Sequence, residues 1–236
     1  MKDEPLFHGI RMLQPQQGFR LGTDSMLLAD FLSLPKHAAV VDLGTGSGTI
    51  GLLLCARSES CHVTGVELEP NACNLARQNI AHNRLESRFS LCEGDLRQIS
   101  QLLPASSYDC VVANPPYFPV GSGALPEDAA LAMARTELCC TPDDLCAAAQ
   151  WLLRFGGCFA MVHRPERLCD LICSMRQHRI EPKRIRFVRH TAACPICLVL
   201  LEGRLGGKVG LQYAPDLIQF EPDGRETAEY RAIYHR

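Results

Sequence analysis

The sequence predicts an α/β fold: one doubly wound, seven-stranded, mostly parallel sheet. Three observations predict it. Short apolar runs alternate with helix-length amphipathic stretches, the pattern of successive βαβ units with helices on both faces. A glycine-rich turn joins the first clear strand to the first clear helix. The length of 236 residues suffices to bury one such sheet and is short for two domains plus a linker. The expectation is a single domain over residues 1–236, with an N-terminal segment 1–38, a core 39–202 and a C-terminal extension 203–236.

Residues 39–43 read as the first strand, followed by the glycine turn and a helix over 49–57. A second strand covers 62–66. Pro70, favoured at a first helical position, opens a helix through about residue 82. Residues 88–91 make the third strand and 108–113 the fourth, which Asn114-Pro115-Pro116 stops. Thr141-Pro142-Asp143-Asp144 is an N-cap and first turn for a helix to about 154, ended by Gly156-Gly157. A fifth strand over 158–163, a helix from Pro165 to about 178, and late strands near 184–189 and 196–201 complete the count. The ends, 1–38 and 203–236, show no clear periodicity.

Composition narrows the class. With 47% hydrophobic and 21% charged residues the chain is globular, far from the disordered regime. No apolar run reaches membrane-span length, and the opening MKDEPLFHGI has neither the basic nor the apolar region of a signal peptide, so a cytoplasmic protein is expected. Thirteen irregularly scattered cysteines read as buried, reduced thiols. The one C-x-x-C, Cys194 to Cys197, lacks a second ligand pair for zinc and lies in an apolar run better read as strand. Net charge is −2, yet residues 164–189 hold eight Lys/Arg against Glu166, Asp170 and Glu181, a candidate basic face.

The chemistry concentrates at strand ends. In Asp42-Leu43-Gly44-Thr45-Gly46-Ser47-Gly48, glycines let the backbone approach a flat or phosphate-like ligand that a Cβ would exclude. The spacing is G-x-G-x-G, although Gly51 keeps a dinucleotide-type G-x-G-x-x-G open. Glu67, ending the second strand, sits where a carboxylate accepts from both ribose hydroxyls, which fits an adenosine moiety. Asp95, ending the third strand, is placed to accept from an adenine amino group, with Leu68 and Leu96 against the ring faces.

The decisive motif is Asn114-Pro115-Pro116-Tyr117 after the fourth strand. Two prolines remove backbone donors and fix φ, so the carbonyls of the turn point outward as rigid acceptors. An amino group on a planar ring offers two N–H donors. The Asn114 side-chain carbonyl and the Pro115 carbonyl take one each and hold the nitrogen lone pair toward a methyl donor, while Tyr117 offers a ring for a flipped-out base.

These marks together resemble class I S-adenosylmethionine methyltransferases of the N6-adenine and glutamine-N5 type, with Asp42 to Gly48, Glu67 and Asn114 to Tyr117 as the matching residues. Three further stretches, from Gly18 to Leu28, Val162 to Leu168 and Tyr230 to Tyr234, resemble the bacterial tRNA1(Val) (adenine-37-N6)-methyltransferase family. The resemblance covers nearly the whole chain. It implies a Rossmann-like sheet whose last strand is antiparallel, S-adenosylmethionine as cofactor, and a region from Phe19 to Asp24 that closes over it. It further implies cofactor contacts from Asp24, Asp42, Gly44, Thr45, Gly46, Gly48, Glu67, Leu68, Asp95, Leu96 and Asn114, and a tRNA substrate carrying the target adenine beside the anticodon. No metal, membrane or obligate protein partner is implied.

Other readings stay open. A glutamine side-chain amide is also planar with two N–H donors, although enzymes acting on it usually carry an extra helical domain in front. A guanine-N2 rRNA methyltransferase differs only in substrate. A nicotinamide-dependent oxidoreductase leaves the Asn-Pro-Pro-Tyr turn unused. A non-catalytic RNA-binding module would work through the basic stretch 164–189.

Overall fold

The computed structural model describes residues 1–14, 22–115 and 140–234. The strands are β1 (Lys2–Pro5), β2 (Arg11–Gln14), β3 (Ala39–Leu43), β4 (His62–Glu67), β5 (Phe89–Glu93), β6 (Tyr108–Ala113), β7 (Leu153–His163), β8 (Ile180–Arg189), β9 (Ile196–Leu205), β10 (Gln212–Tyr213) and β11 (Leu217–Ile218). The helices are α1 (Thr23–Phe31), α2 (Thr49–Arg57), α3 (Pro70–His82), α4 (Ile99–Leu102), α5 (Pro142–Leu152), α6 (Leu168–Gln177) and α7 (Ala228–Ile233).

The main sheet runs β10-β8-β9-β7-β6-β3-β4-β5, with β11 also on β8. Of its seven long strands only β9, the last of them in the chain, is antiparallel to its neighbours. This is the expected doubly wound, Rossmann-like sheet. The chain starts at β3, winds out through β4 to β5, then returns to lay β6 on the other side of β3. The crevice between β3 and β6 is thus the topological switch point, where ligands bind beyond the carboxyl ends of the strands.

Strand alternation divides the core. Val40, Cys110 and Val112 face a cluster with Leu27, Leu28, Leu52, Leu54 and Ile80 of α1, α2 and α3. Val41, Val111 and Ala113 face a second cluster with Leu145, Ala149, Leu171 and Met175 of α5 and α6. Both faces of the sheet are covered, which is why its strands read as apolar runs. Phe89 and Phe159 are fully buried, each contributing about 2–3 kcal/mol relative to exposure.

Element ends follow local chemistry. α3 starts on Pro70, with the Glu69 carboxylate accepting from the Asn71 and Ala72 N–H groups. Thr141 and Asp144 form a reciprocal capping box at α5. The Gly156-Gly157 pair does not end α5 as expected. The helix stops at Leu152, β7 begins at once with the fully buried Leu153, and the glycines form an irregularity between the Tyr108–Leu153 and Cys110–Cys158 pairs.

The N-terminal segment carries structure the sequence pattern does not show. β1 and β2 form an antiparallel hairpin against α3. Its outer backbone groups are met by two asparagines one helical turn apart. Asn83 accepts from Arg11 N at 2.8 Å and donates to Arg11 O at 2.6 Å, and Asn79 accepts from Leu13 N at 2.7 Å. Two side-chain amides thereby stand in for a neighbouring strand. At the other end, β10 and β11, two residues each, extend the sheet in parallel along β8. Among the described residues no helix is long and apolar enough to cross a membrane.

Candidate functional site

β3, β4 and β6 deliver the candidate residues to one edge of the sheet. Leu43 pairs with Ala113, so the glycine loop after β3 and Asn114 after β6 leave the sheet side by side, about 5 Å apart. The loop is fixed from β4: Gly44 N and Thr45 N donate to Val66 O at 2.9 and 3.0 Å. Gly46 takes φ +57°, a left-handed conformation costly for residues with a Cβ, and a Cβ there would meet nothing within 4 Å. The loop therefore presents bare backbone to open space.

Glu67, at the end of β4, organises that loop. Its Oε2 accepts from Gly46 N at 2.8 Å, while Oε1 accepts from Leu68 N at 2.8 Å and Glu69 N at 2.9 Å. One carboxylate thus joins the glycine loop to the turn after β4. Leu68 beside it is 46% exposed, an apolar side chain left on the rim of the site.

Asp42 is wholly buried below the loop. Its Oδ2 accepts from Thr45 Oγ1 at 2.6 Å, and Oδ1 has no hydrogen-bond partner among the described residues. Gly65, its register partner on β4, matters here: a Cβ at that position would lie 2.7 Å from Thr45 Cγ2 and displace the hydroxyl. Burial pushes the Asp42 carboxyl up from its ordinary 3.8 to about 7, with the Thr45 hydroxyl opposing part of that rise. The folded state therefore holds this proton more tightly than the unfolded chain. Asp42 is expected to lower stability progressively as pH rises from about 4 to about 7 and by a constant amount above that. The melting temperature of wild type relative to Asp42→Asn, measured across pH 4 to 9, should fall over that window and then level; a difference independent of pH would contradict the burial of a titrating carboxyl.

Asn114 is half-buried and its Nδ2 donates to Ser25 Oγ on α1 at 3.0 Å. Next along the sheet, His163 ends β7. Burial pushes its imidazole down to about 4, and its Nδ1 accepts from Arg164 N at 2.8 Å, so the ring beside the switch point is neutral at physiological pH.

Asp95 stands where expected, at the end of β5, but its carboxylate is already engaged by Arg97 through N at 2.9 Å, Nε at 3.0 Å and Nη2 at 2.6 Å. That guanidinium holds Asp95 below the usual carboxylate range. Leu96 follows it, partly buried against the α5 and α6 cluster. Asp24 lies in the first turn of α1. Pro116 and Tyr117, the segment from Phe19 to Leu21, and residues 118–134 lie outside the described residues.

With this geometry in view, residues 19–170 match the methyltransferase small domain family. The chain belongs to that family. Among relatives, it is 36% identical over 155 residues to a tRNA1(Val) (adenine(37)-N6)-methyltransferase of Aeromonas salmonicida, the match covering 65% of this chain and 63% of that one. It is 32% identical over 178 residues to one of Porphyromonas gingivalis, covering 72% and 68%. The match to the Aeromonas relative thus spans less than two thirds of that protein's length. Among solved structures, one described as a predicted O-methyltransferase from Agrobacterium tumefaciens superposes with a TM-score of 0.74 at 21% identity, over 90% of this chain and 95% of that one. The geranyl diphosphate C-methyltransferase of Streptomyces coelicolor, in complex with S-adenosyl-L-homocysteine, gives 0.56 at 12% identity, over 77% and 76%. The Rossmann-like fold is the one these methyltransferases share.

In this methyltransferase-family chain the basic stretch 164–189 has a structural use. Arg184 pairs with Glu202 at 3.1 Å, Arg186 with Glu229 at 2.6 Å and Arg189 with Asp216 at 2.7 Å. Arg167 meets Asp170, Arg176 meets Glu181, Arg164 donates to Cys197 O and Lys183 to Lys208 O. Of these, Lys183, Arg184, Arg186 and Arg189 fasten β8 to β9 and to the C-terminal extension. Cys194 sits in a turn with its Sγ accepting from Thr191 Oγ1, and Cys197 is the second residue of β9; among the described residues no three His, Cys, Asp or Glu side chains gather as a metal site.

Two contributors escaped the sequence reading. Asn79, fully buried in α3, donates to Ser47 O at 3.0 Å as well as binding Leu13, so it ties the N-terminal hairpin to the glycine loop. Ser25 holds Asn114. Both act across long sequence separations, whereas the glycine, acidic and Asn-Pro-Pro-Tyr motifs announce themselves locally.

Proposed function

We propose that this chain transfers a methyl group from S-adenosylmethionine to N6 of adenine 37 in a tRNA1(Val)-like substrate. The observation that carries the reading is the placement of the Asn114–Pro115 turn beside a glycine loop at the switch point, with the Asn114 amide already anchored. The names of the relatives support the same substrate.

The residues present fit that cofactor. Asp42 has a buried, unpartnered oxygen suited to the ammonium of a methionyl group, directly or through water. The bare Gly44–Gly46 backbone accommodates close approach, Glu67 suits ribose hydroxyls, and the exposed Leu68 suits a face of adenine. Asp95 reaches the adenine amino group only in competition with Arg97. When bound, the cofactor supplies an electrophilic methyl on a sulfonium.

The chain's own part is orientation. The Asn114 and Pro115 carbonyl oxygens each accept one N–H of the target amine, which fixes the nitrogen lone pair in line with the methyl and draws it out of ring conjugation. That nitrogen becomes strongly acidic once its fourth bond forms, so water takes the proton and no strong general base is needed. Tyr117 stacks the extruded base. A tRNA substrate places the protein in the cytoplasm.

The test is transfer of labelled methyl to total tRNA lacking the modification, with rRNA and a release-factor protein as parallel acceptors. Label in N6-methyladenosine of tRNA is expected. Label confined to a glutamine of the protein or to guanine in rRNA would overturn the substrate assignment.

A further inference from the structure

We propose that Ser25 is a positioning residue for Asn114, setting the amide plane that the methyl acceptor meets. The inference rests on the reading of the Asn114–Pro115 turn given above. Ser25 is a buried polar residue on α1, 8% exposed, next to Met26, Leu27 and Leu28, which all face the core. Its hydroxyl oxygen accepts from Asn114 Nδ2 at 3.0 Å across 89 positions of sequence.

The consequence follows from the shape of an amide. Its nitrogen and oxygen diverge from one carbon in a plane, so holding Nδ2 on α1 fixes the plane and sends Oδ1 along the other branch, the acceptor that a two-donor amine requires. Ser25 is thus an anchor of that plane, and any rotation away from it weakens the hydrogen bond that aims the acceptor nitrogen. α1 itself is firmly seated: Phe31 is buried, its carbonyl accepts from Arg184, and the Arg184 guanidinium lies 4.0 Å over its ring. α1, which begins at Thr23, thus dictates the geometry of the Asn114 side chain just after β6.

A set of variants separates positioning from packing. Ser25→Thr keeps the hydroxyl, and Ser25→Val matches threonine in shape without it. Ser25→Val should lower kcat about tenfold, with KM for cofactor and RNA within about twofold, while Ser25→Thr stays near wild type. In an Asn114→Ala background Ser25→Val should have no further effect, because the group it positions is gone. Nuclear magnetic resonance of the Asn114 side-chain amide gives a readout independent of activity: slowed hydrogen exchange in wild type and Ser25→Thr, lost in Ser25→Val. Equal kcat for Ser25→Thr and Ser25→Val, an undiminished loss in the Asn114→Ala background, or unchanged amide exchange would overturn the proposal. Wild-type enzyme that methylates a different acceptor would refute the adenine reading alone, since the variant comparison and the amide resonance can be read on any acceptor.

Discussion

Asn114→Ala should lower kcat by about 10²- to 10³-fold while leaving cofactor affinity within about threefold of wild type. The asymmetry is the point. Asn114 stands at the end of β6, one strand spacing from the glycine loop, with its amide nitrogen held by Ser25. The backbone of that loop is pinned from β4 and by Glu67, and neither anchor uses the Asn114 side chain. Removing the amide deletes an acceptor that aims the target nitrogen and leaves the cofactor cradle standing. Stopped-flow or steady-state transfer rates, together with calorimetric titration of the cofactor, measure the two quantities separately. Equal losses in both would mean that Asn114 serves the cofactor and not the acceptor.

Glu67→Gln should produce the opposite split. The carboxylate takes three backbone N–H groups, Gly46 on one oxygen and Leu68 and Glu69 on the other. Glutamine puts an N–H₂ group against at least one of those donors, so the substitution both loses a charge-assisted hydrogen bond and sets donor against donor. Leaving such a group unsatisfied costs on the order of 2 kcal/mol, so cofactor affinity should fall about 30-fold. At saturating cofactor the transfer rate should recover toward wild type, because Asn114 and its anchor on α1 are untouched. A Glu67→Gln protein that binds cofactor normally would show that the glycine loop holds its shape without this residue.

The parts of the fold that were legible in the sequence are those whose chemistry is local. Pro70 and Thr141 mark helix starts through capping that needs only neighbours, and Asn114-Pro115-Pro116 stops a strand because proline lacks a donor; α3, α5 and β6 begin or end there as read. The antiparallel last strand came from family resemblance and not from periodicity, and β9 bears it out. The elements that were not legible depend on distant partners. The β1–β2 hairpin is completed by side chains more than 60 positions away, and β10 and β11 exist only because β8 offers them an edge. β7 absorbs its glycines as an irregularity because Leu152 and Leu153 are both fully buried, one ending a helix and the next beginning a strand.

The site divides in the same way. Asp42, Gly46 and Glu67 were visible because a strand, a glycine turn and an acid follow at fixed spacing, and Asn114 because two prolines and a tyrosine follow it; the sheet brings them to one edge. Of the groups that hold them, Gly65 under Thr45 and Asn79 under Ser47 carry no motif, and Ser25 beside Asn114 lies in a family-like stretch that assigns it no role. A glycine in a strand, an asparagine in a helix and a serine among leucines look ordinary until the chain is folded. The basic stretch reads equally as an RNA surface or a solvated face, and the fold pairs three of its arginines, Arg184, Arg186 and Arg189, with Glu202, Glu229 and Asp216. Salt dependence of KM for RNA, with single Lys/Arg replacements inside and outside this stretch, would locate the contacts to the phosphate backbone.

The most direct test of the central claim uses two transcripts of tRNA1(Val), one with adenine and one with guanine at position 37, incubated with the protein and trideuteromethyl-labelled S-adenosylmethionine, followed by nucleoside mass spectrometry. The account predicts trideuterated N6-methyladenosine from the first transcript and no labelled nucleoside from the second. Equal labelling of both, or label in a base other than adenine, would contradict it.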